Sequence, residues 1–221
     1  ADEGVGPNHL DFKLPGSGGA ITLYEAAGAE VQQVVYGAQT EGVSQGRLPD
    51  GSVSIVGFPG TASPKAMNYA ATYTGPVWNE VLARNKSVSV GGKFVDFIEL
   101  HNPGGSGFNP GGLSVSVNSP EPGEWFFPPN TILGSNACLL IRCDGSSPAS
   151  TNAGSFNTGE SLDGESGGAY LFNAVGQLVS SVDYGLQVEN LSIGLSGGQW
   201  RLLSAPTPGA ANSTAAVLGA S

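Results

Sequence analysis

The sequence predicts an all-β sandwich, and three observations carry that prediction. Apolar residues come in short runs, none holding a 3.6-residue period long enough for a core helix. Clusters of Pro, Gly and Asn separate the runs, as at Pro49-Asp50-Gly51, Asn102-Pro103-Gly104-Gly105, Pro120-Glu121-Pro122-Gly123 and Asp144-Gly145. Gly permits φ > 0 and Pro fixes φ, so these clusters form turns. Finally, the pattern repeats within the chain. Short strands with frequent turns argue for stacked sheets rather than one open sheet.

In chain order the candidate strands are Ala20–Glu25, Glu30–Tyr36, Val53–Val56, Val77–Leu82, Val95–His101, Leu113–Val117, Glu124–Phe127, Ala137–Cys143, Ala169–Asn173, Leu178–Tyr184 and Gln199–Leu203. Val95-Asp96-Phe97 puts its apolar residues in one phase, and Ile98-Glu99-Leu100 in the other. Side chains alternate with a period of two, so this strand needs a bulge or burial on both faces.

The repeat divides the chain. Gly18-Gly19-Ala20-Ile21-Thr22-Leu23-Tyr24 recurs as Gly167-Gly168-Ala169-Tyr170-Leu171-Phe172. Val34-Val35-Tyr36-Gly37-Ala38-Gln39 matches Val182-Asp183-Tyr184-Gly185-Leu186-Gln187, and Val43-Ser44-Gln45-Gly46 matches Leu191-Ser192-Ile193-Gly194. The copies close alike, Ser63-Pro64-Lys65-Ala66-Met67-Asn68 against Thr207-Pro208-Gly209-Ala210-Ala211-Asn212, and upstream Phe12 corresponds to Phe156. The second copy is preceded by a block, Val77 to Cys143, that the first lacks. This predicts a partial unit at 1–68, a linker at 69–76, a complete sandwich at 77–212 and a tail at 213–221.

Composition narrows the function. Of 221 residues, Gly supplies 35 and Pro 15, yet Gly does not fall at every third position, which excludes collagen. Only 12% of residues are charged and 39% are hydrophobic, unlike a disordered acidic chain. No apolar run approaches the ~18 residues of a bilayer span, so no membrane insertion is expected. Eight basic residues against 18 acidic ones, a net charge of −10, argue against a nucleic-acid partner. Low charge, acidic pI and abundant Gly, Ser, Thr and Asn suit an exported bacterial surface protein. No signal peptide is visible at Ala1, which decides little. The three N-x-S/T sequons, at Asn85, Asn190 and Asn212, matter only in a eukaryotic secretory route.

Cys138 and Cys143 flank an apolar run that reads as one strand. Five steps along a strand span ~16 Å, beyond disulfide reach, so no bond is expected between them. No CxxC occurs and the only histidines are His9 and His101, which leaves no zinc set.

Several segments taken together resemble a family. Val77-Trp78-Asn79-Glu80-Val81-Leu82-Ala83-Arg84-Asn85 is similar to the opening strand of bacterial lamin-tail domains, and Phe94-Val95-Asp96-Phe97-Ile98-Glu99-Leu100-His101-Asn102-Pro103-Gly104 to their D-x-IEL-x-NPG strand and turn. Trp125-Phe126-Phe127-Pro128, Cys138-Leu139-Leu140-Ile141, Ser181-Val182-Asp183-Tyr184-Gly185 and the stretch from Trp200 through Pro206 to Asn212 follow in that family's order. The resemblance spans 77–212, and residues 8–68 resemble the latter half of a second copy. It implies a compact immunoglobulin-like β-sandwich without catalytic residues of its own, an accessory module of large exported proteins. The chain departs from the pattern at Asn109–Val117, where the usual LSGW-x-L aromatic is missing.

A half-sandwich exposes an apolar face and an open edge. The favoured expectation is that the sequence is a fragment of a longer chain. The alternatives are completion of residues 1–68 by a neighbouring chain or by packing on 77–212.

Catalytic constellations were weighed in turn. G-x-S-x-G occurs around Ser44, Ser166 and Ser196, but none precedes a helix as a nucleophile elbow must. Ser44 reads as a strand-edge residue. Gly164-Glu165-Ser166-Gly167-Gly168 resembles a chymotrypsin-like nucleophile segment, yet neither His9 nor His101 sits in a suitable setting. Asp96 and Glu99, three apart on a strand, face opposite sides. Asp163 and Glu165 share a loop and could chelate calcium with Asp144, but the EF-hand pattern is absent and solvated surface charge is the expectation. No phosphate-binding loop opens a helix. Of the three tryptophans, Trp125 and Trp200 stand at packing positions, and Trp78 is the best candidate for an exposed, sugar-binding ring, although packing is the expectation for it too. No catalytic, cofactor or metal residues are assigned. The functional expectation is a non-enzymatic interaction module acting through β edges and apolar faces. Its partners would be neighbouring domains or other copies of the chain. A carbohydrate-binding module using Trp78 or Tyr73 is the alternative, with a cell-surface glycan as partner. A serine hydrolase fragment is the remote one.

Overall fold

The computed structural model describes residues 10–48, 53, 55–59, 61–64, 68 and 73–216; no helix occurs among them. Thirteen strands do: β1 Gly19–Tyr24, β2 Glu30–Tyr36, β3 Val43–Arg47, β4 Ile55–Pro59, β5 Val77–Leu82, β6 Asp96–His101, β7 Ser114–Val117, β8 Trp125–Phe126, β9 Cys138–Cys143, β10 Gly167–Phe172, β11 Leu178–Tyr184, β12 Ile193–Ser196 and β13 Gln199–Leu202.

The strands from β5 onward form two antiparallel sheets, one ordered β13-β12-β5-β6-β9 and the other β11-β10-β7-β8. They stack as a β-sandwich-like body around one core. Trp78, Val81, Ile98, Leu100 and Ile141 come from the first sheet; Val115, Leu171, Val182 and Tyr184 come from the second. β5 lies between β12 and β6, so Val77–Leu82 is buried almost throughout. The phase change in β6 is explained the same way. Ile98 and Leu100 enter the main core, while Phe97 packs with Leu82 and Val90 in a second cluster on the other side. The bulge sits on β5, between Trp78 and Glu80.

The first four strands form two separate hairpins, β1-β2 and β3-β4. The β1-β2 ladder reproduces the β10-β11 ladder pair by pair. Gly19 faces Tyr36 as Gly167 faces Tyr184, and Ile21 faces Val34 as Ala169 faces Val182. Both ladders carry a bulge at the same step, Leu23/Tyr24 and Leu171/Phe172. The constant offset corrects the sequence alignment by one residue at its start. Gly19, not Gly18, is the counterpart of Gly167, because the pairing with Tyr36 fixes the phase. Gln39 donates to the carbonyls of Gly16 and Gly37 as Gln187 donates to those of Gly164 and Gly185.

β3 and β12 are absent from the candidate strands. Each has a Gly in its middle and few β-branched residues, which hides it from pattern reading. The Gly is required by close approach. A Cβ on Gly46 would sit 2.7 Å from the Asn68 amide, and one on Gly194 2.8 Å from that of Asn212. The strand predicted at Val53–Val56 lies later, at Ile55–Pro59, and Val53 is exposed. The predicted turn at Pro49-Asp50-Gly51 lies outside the described residues, as does His9.

β4 turns Val56 and Phe58 onto Tyr170, Phe172 and Leu178, on the outer face of the four-stranded sheet. Gln177 Nε2 donates to the Pro59 carbonyl beside that contact at 2.6 Å. Of the segment read as a linker, Tyr73 packs edge-on against Phe108. The segment read as a tail returns along β13, Ala216 donating its N–H to Leu202 and Ser204 donating its N–H to Thr214.

Candidate functional site

Two buried carboxylates dominate the outer face of the five-stranded sheet. Glu80 on β5 and Glu99 on β6 face each other in register, both fully buried. A buried charge needs hydrogen-bond donors. The C-terminal segment supplies them by lying across both strands. Glu80 accepts the Ser192 hydroxyl, the Thr207 N–H at 2.9 Å and the Thr207 hydroxyl at 2.7 Å. Glu99 accepts the Asn79 amide at 3.0 Å and the Gly209 N–H. Asn212 then locks the segment down. Its amide donates to the carbonyls of Asn79 and Leu195, each at 2.9 Å, and its carbonyl oxygen accepts from Asn79 at 3.0 Å. Burial pushes the Glu99 carboxyl up, the Gly209 and Asn79 donors oppose this, and Glu80 adds to it. Burial also pushes the Cys138 thiol up to about 12. With Cys143, equally a free thiol, it marks the ends of β9.

The first copy keeps the receiving half of this clamp without its carboxylates. Asn68 Nδ2 donates to the Arg47 carbonyl at 2.9 Å, the counterpart of the Asn212 bond to Leu195. Phe58 lies against Gly46 as Leu203 lies against Gly194. Ser44 and Ser63 stand where Ser192 and Thr207 stand. With no Glu to meet, Ser63 turns its hydroxyl to the Asn68 side chain at 3.1 Å.

The same omission leaves an apolar groove of about 460 Å³ between the two hairpins, with Leu14, Ile21, Val34 and Tyr36 on one wall and Gly46 and Ile55 on the other. In the second copy the counterparts Leu162, Ala169, Val182 and Tyr184 belong to the closed core. β12 and β10 are there flanked by β5 and β7, whereas β3 and β1 each have one ladder partner only. Among the described residues, the edges of β3 and β1 that border the groove carry no second ladder.

The residues weighed for catalysis are not brought together. Ser44 lies within β3, Ser166 in the bend before β10, and Ser196 at the end of β12. His101 ends β6, its Nε2 3.0 Å from the Asn136 side-chain oxygen. Asn102 behind it organises the NPG turn, donating to the carbonyls of Ser106, Leu133 and Gly134 and accepting from the Gly104 N–H. Asp96 accepts the Asn85 N–H while Glu99 serves the clamp.

The packing expected of Trp78 is observed, and the surface charge expected of Asp144 is corrected. Trp78 is 1% exposed, because β5 is an interior strand covered on both faces, so its ring is no sugar platform. Tyr73 is half-buried, its hydroxyl enclosed. Asp144 is not a surface charge, being 6% exposed. Its carboxylate accepts the Ser146 and Ser147 hydroxyls and pairs with Lys93 at 3.2 Å, and these partners hold it well below the usual carboxylate range. Asp163 instead caps its own loop, accepting the N–H groups of Glu165 and Ser166. Among the described residues no three His, Cys, Asp or Glu side chains converge on a metal-sized site.

The Glu80–Glu99 pair escaped sequence reading. Its signal was a Glu within each of two apolar strands, Val77-Trp78-Asn79-Glu80-Val81 and Phe97-Ile98-Glu99-Leu100. No family model matches the chain, and neither the curated proteins nor the solved structures contain a match to it.

Proposed function

We propose that the chain is a non-catalytic interaction module, acting through the β edges and the apolar groove of its first copy. One observation carries this reading. A half core that the second copy buries is left open, lined by side chains of the same pattern. Contiguous apolar surface bordered by unpaired strand edges marks a site of association. The resemblance of 77–212 to bacterial lamin-tail domains is in keeping with this reading, in which the chain is part of an exported or surface-attached multidomain protein and an immunoglobulin-like sandwich serves as rigid support. The carbohydrate alternative is left with Tyr73, half-buried, because Trp78 is enclosed.

A display library of random peptides panned on the immobilised protein tests the reading. Binders are expected that fail on an Ile21→Lys or Val34→Lys protein. These changes put a charge into the groove and leave the closed core untouched. Enrichment of nothing, or of peptides indifferent to both substitutions, overturns it.

A further inference from the structure

We infer that residues 205–213 form a lid over the Glu80–Glu99 pair, shut while the pair keeps one proton and lifting as that proton leaves. The lid covers the outer face of β5 and β6 at low pH and bares it at high pH.

The segment is built as a loop with its own neck. Ser204 donates its N–H to the Thr214 carbonyl at 2.8 Å, and the Ser213 hydroxyl donates to the Ala205 carbonyl at 2.6 Å. Within the loop, Ala210 donates its N–H to the Thr207 carbonyl at 3.0 Å. None of these bonds involves the sheet beneath, so the neck can stay closed while the loop lifts. What holds the loop down is polar. Residues 205–213 are half-buried or exposed, and none belongs to an apolar cluster. The anchors are Thr207 on Glu80, Gly209 on Glu99, Asn212 on Asn79 and Leu195, and the Ala210 carbonyl, which accepts the Cys138 thiol at 3.6 Å.

Two enclosed carboxylates that face each other do not both ionise without a cation between them. Among the described residues neither has one, for the ion pairs lie elsewhere, Lys86 with Glu189 and Lys93 with Asp144. The groups around Glu99 supply no charge to balance the pair. From β5 comes Glu80 itself, and from β9 the Cys138 thiol, neutral until about pH 12. His101 on β6 turns its ring to Asn136, and Arg201 on β13 turns its guanidinium to Gln199 at 2.6 Å. The loop 205–213 carries no titratable side chain. The proton resides on Glu99, where burial outweighs the Asn79 and Gly209 donors and the charge of Glu80 adds to it. Lifting the loop wets both carboxyls and frees that proton. The open fraction therefore rises as pH climbs above the ordinary glutamate range, by at most about tenfold per pH unit, the limit for one proton.

Amide hydrogen exchange of the whole chain, read residue by residue by NMR across the acid-to-alkaline range, tests this. Rates at each pH are divided into those of an unstructured chain, so that protection reports the open fraction. Protection of the Thr207 and Gly209 N–H groups is expected to fall with rising pH, while Ile98 and Ile141 in the β6-β9 ladder keep theirs. Glu99→Gln, which cannot ionise, is expected to abolish the fall. Should that variant not fold, Glu80→Gln removes the opposing charge and is expected to shrink it. Protection at Thr207 and Gly209 that does not change with pH overturns the proposal, as does a fall of the same size in the variant. A loss shared equally by Ile98 and Ile141 also overturns it, since the whole module then opens and no lid moves.

Discussion

The β1-β2 and β10-β11 hairpins share a register, a bulge and the carbonyl contacts of Gln39 and Gln187, yet one lies in solvent and the other in a core. Leu23 is 60% exposed; its counterpart Leu171 is fully buried. Local sequence therefore suffices to specify the hairpin, while its contribution to stability comes from the strands laid against it. Both copies carry the information for a sandwich. Among the described residues, the front strands that turn that information into buried area lie against the second copy.

The largest separation between the copies is expected at these leucines. Leu171→Ala costs about 3 to 4 kcal/mol of stability through lost burial and a cavity, whereas Leu23→Ala changes it by no more than about 0.5 kcal/mol. Urea denaturation followed by fluorescence measures both. Equal costs would mean that the first hairpin is covered in solution. The clamp comes next. Glu80→Ala strands the Ser192 and Thr207 donors, at about 2 to 3 kcal/mol, and Ser63→Ala, with no carboxylate to lose, stays within about 0.5 kcal/mol.

A smaller contrast is expected at the paired glycines. An added Cβ at 194 meets Leu203 Cδ1 at 2.6 Å and Asn212 Nδ2 at 2.8 Å, both held in place by their own contacts. Gly194→Ala is expected to cost about 1 to 2 kcal/mol. Gly46→Ala, where the obstructing Asn68 amide has one backbone anchor, costs less, and thermal melts rank the two.

The smallest effect is one of pH. Glu99 is raised in the folded state, so its contribution is fully present below the ordinary glutamate pKa and is lost as pH rises through the folded value. Asp144 is lowered, so its contribution is present above the ordinary aspartate pKa and is lost as pH falls through the folded value. Stability profiles measured from acid to neutral pH are expected to lose the first slope in Glu99→Gln and the second in Asp144→Asn. Unchanged profiles would place these groups in solvent.

The all-β class was legible because alternation and turn chemistry are local. Glu30–Tyr36, Val77–Leu82 and Leu178–Tyr184 were readable to the residue, each carrying two or three valines and each preceded by a glycine-containing turn. β3 and β12 were not, since a central glycine serving a distant asparagine looks like a loop. The carboxylate pair was invisible for a different reason. Glu80 and Glu99 meet only through the β5-β6 register and its bulge, whereas attention fell on Asp96 and Glu99, close in sequence and on opposite faces.

The Thr207 N–H that Glu80 accepts lies 127 positions farther along the chain. While the polypeptide is being made, both carboxylates therefore leave the ribosome long before the groups that neutralise them. The sheet that carries them stays hydrated on that side until the segment from Thr207 to Asn212 arrives. Completion of this module thus waits for the segment around Thr207 and Gly209, and a nascent chain halted at Leu203 would leave Glu80 without its Thr207 donors and Glu99 without the Gly209 N–H.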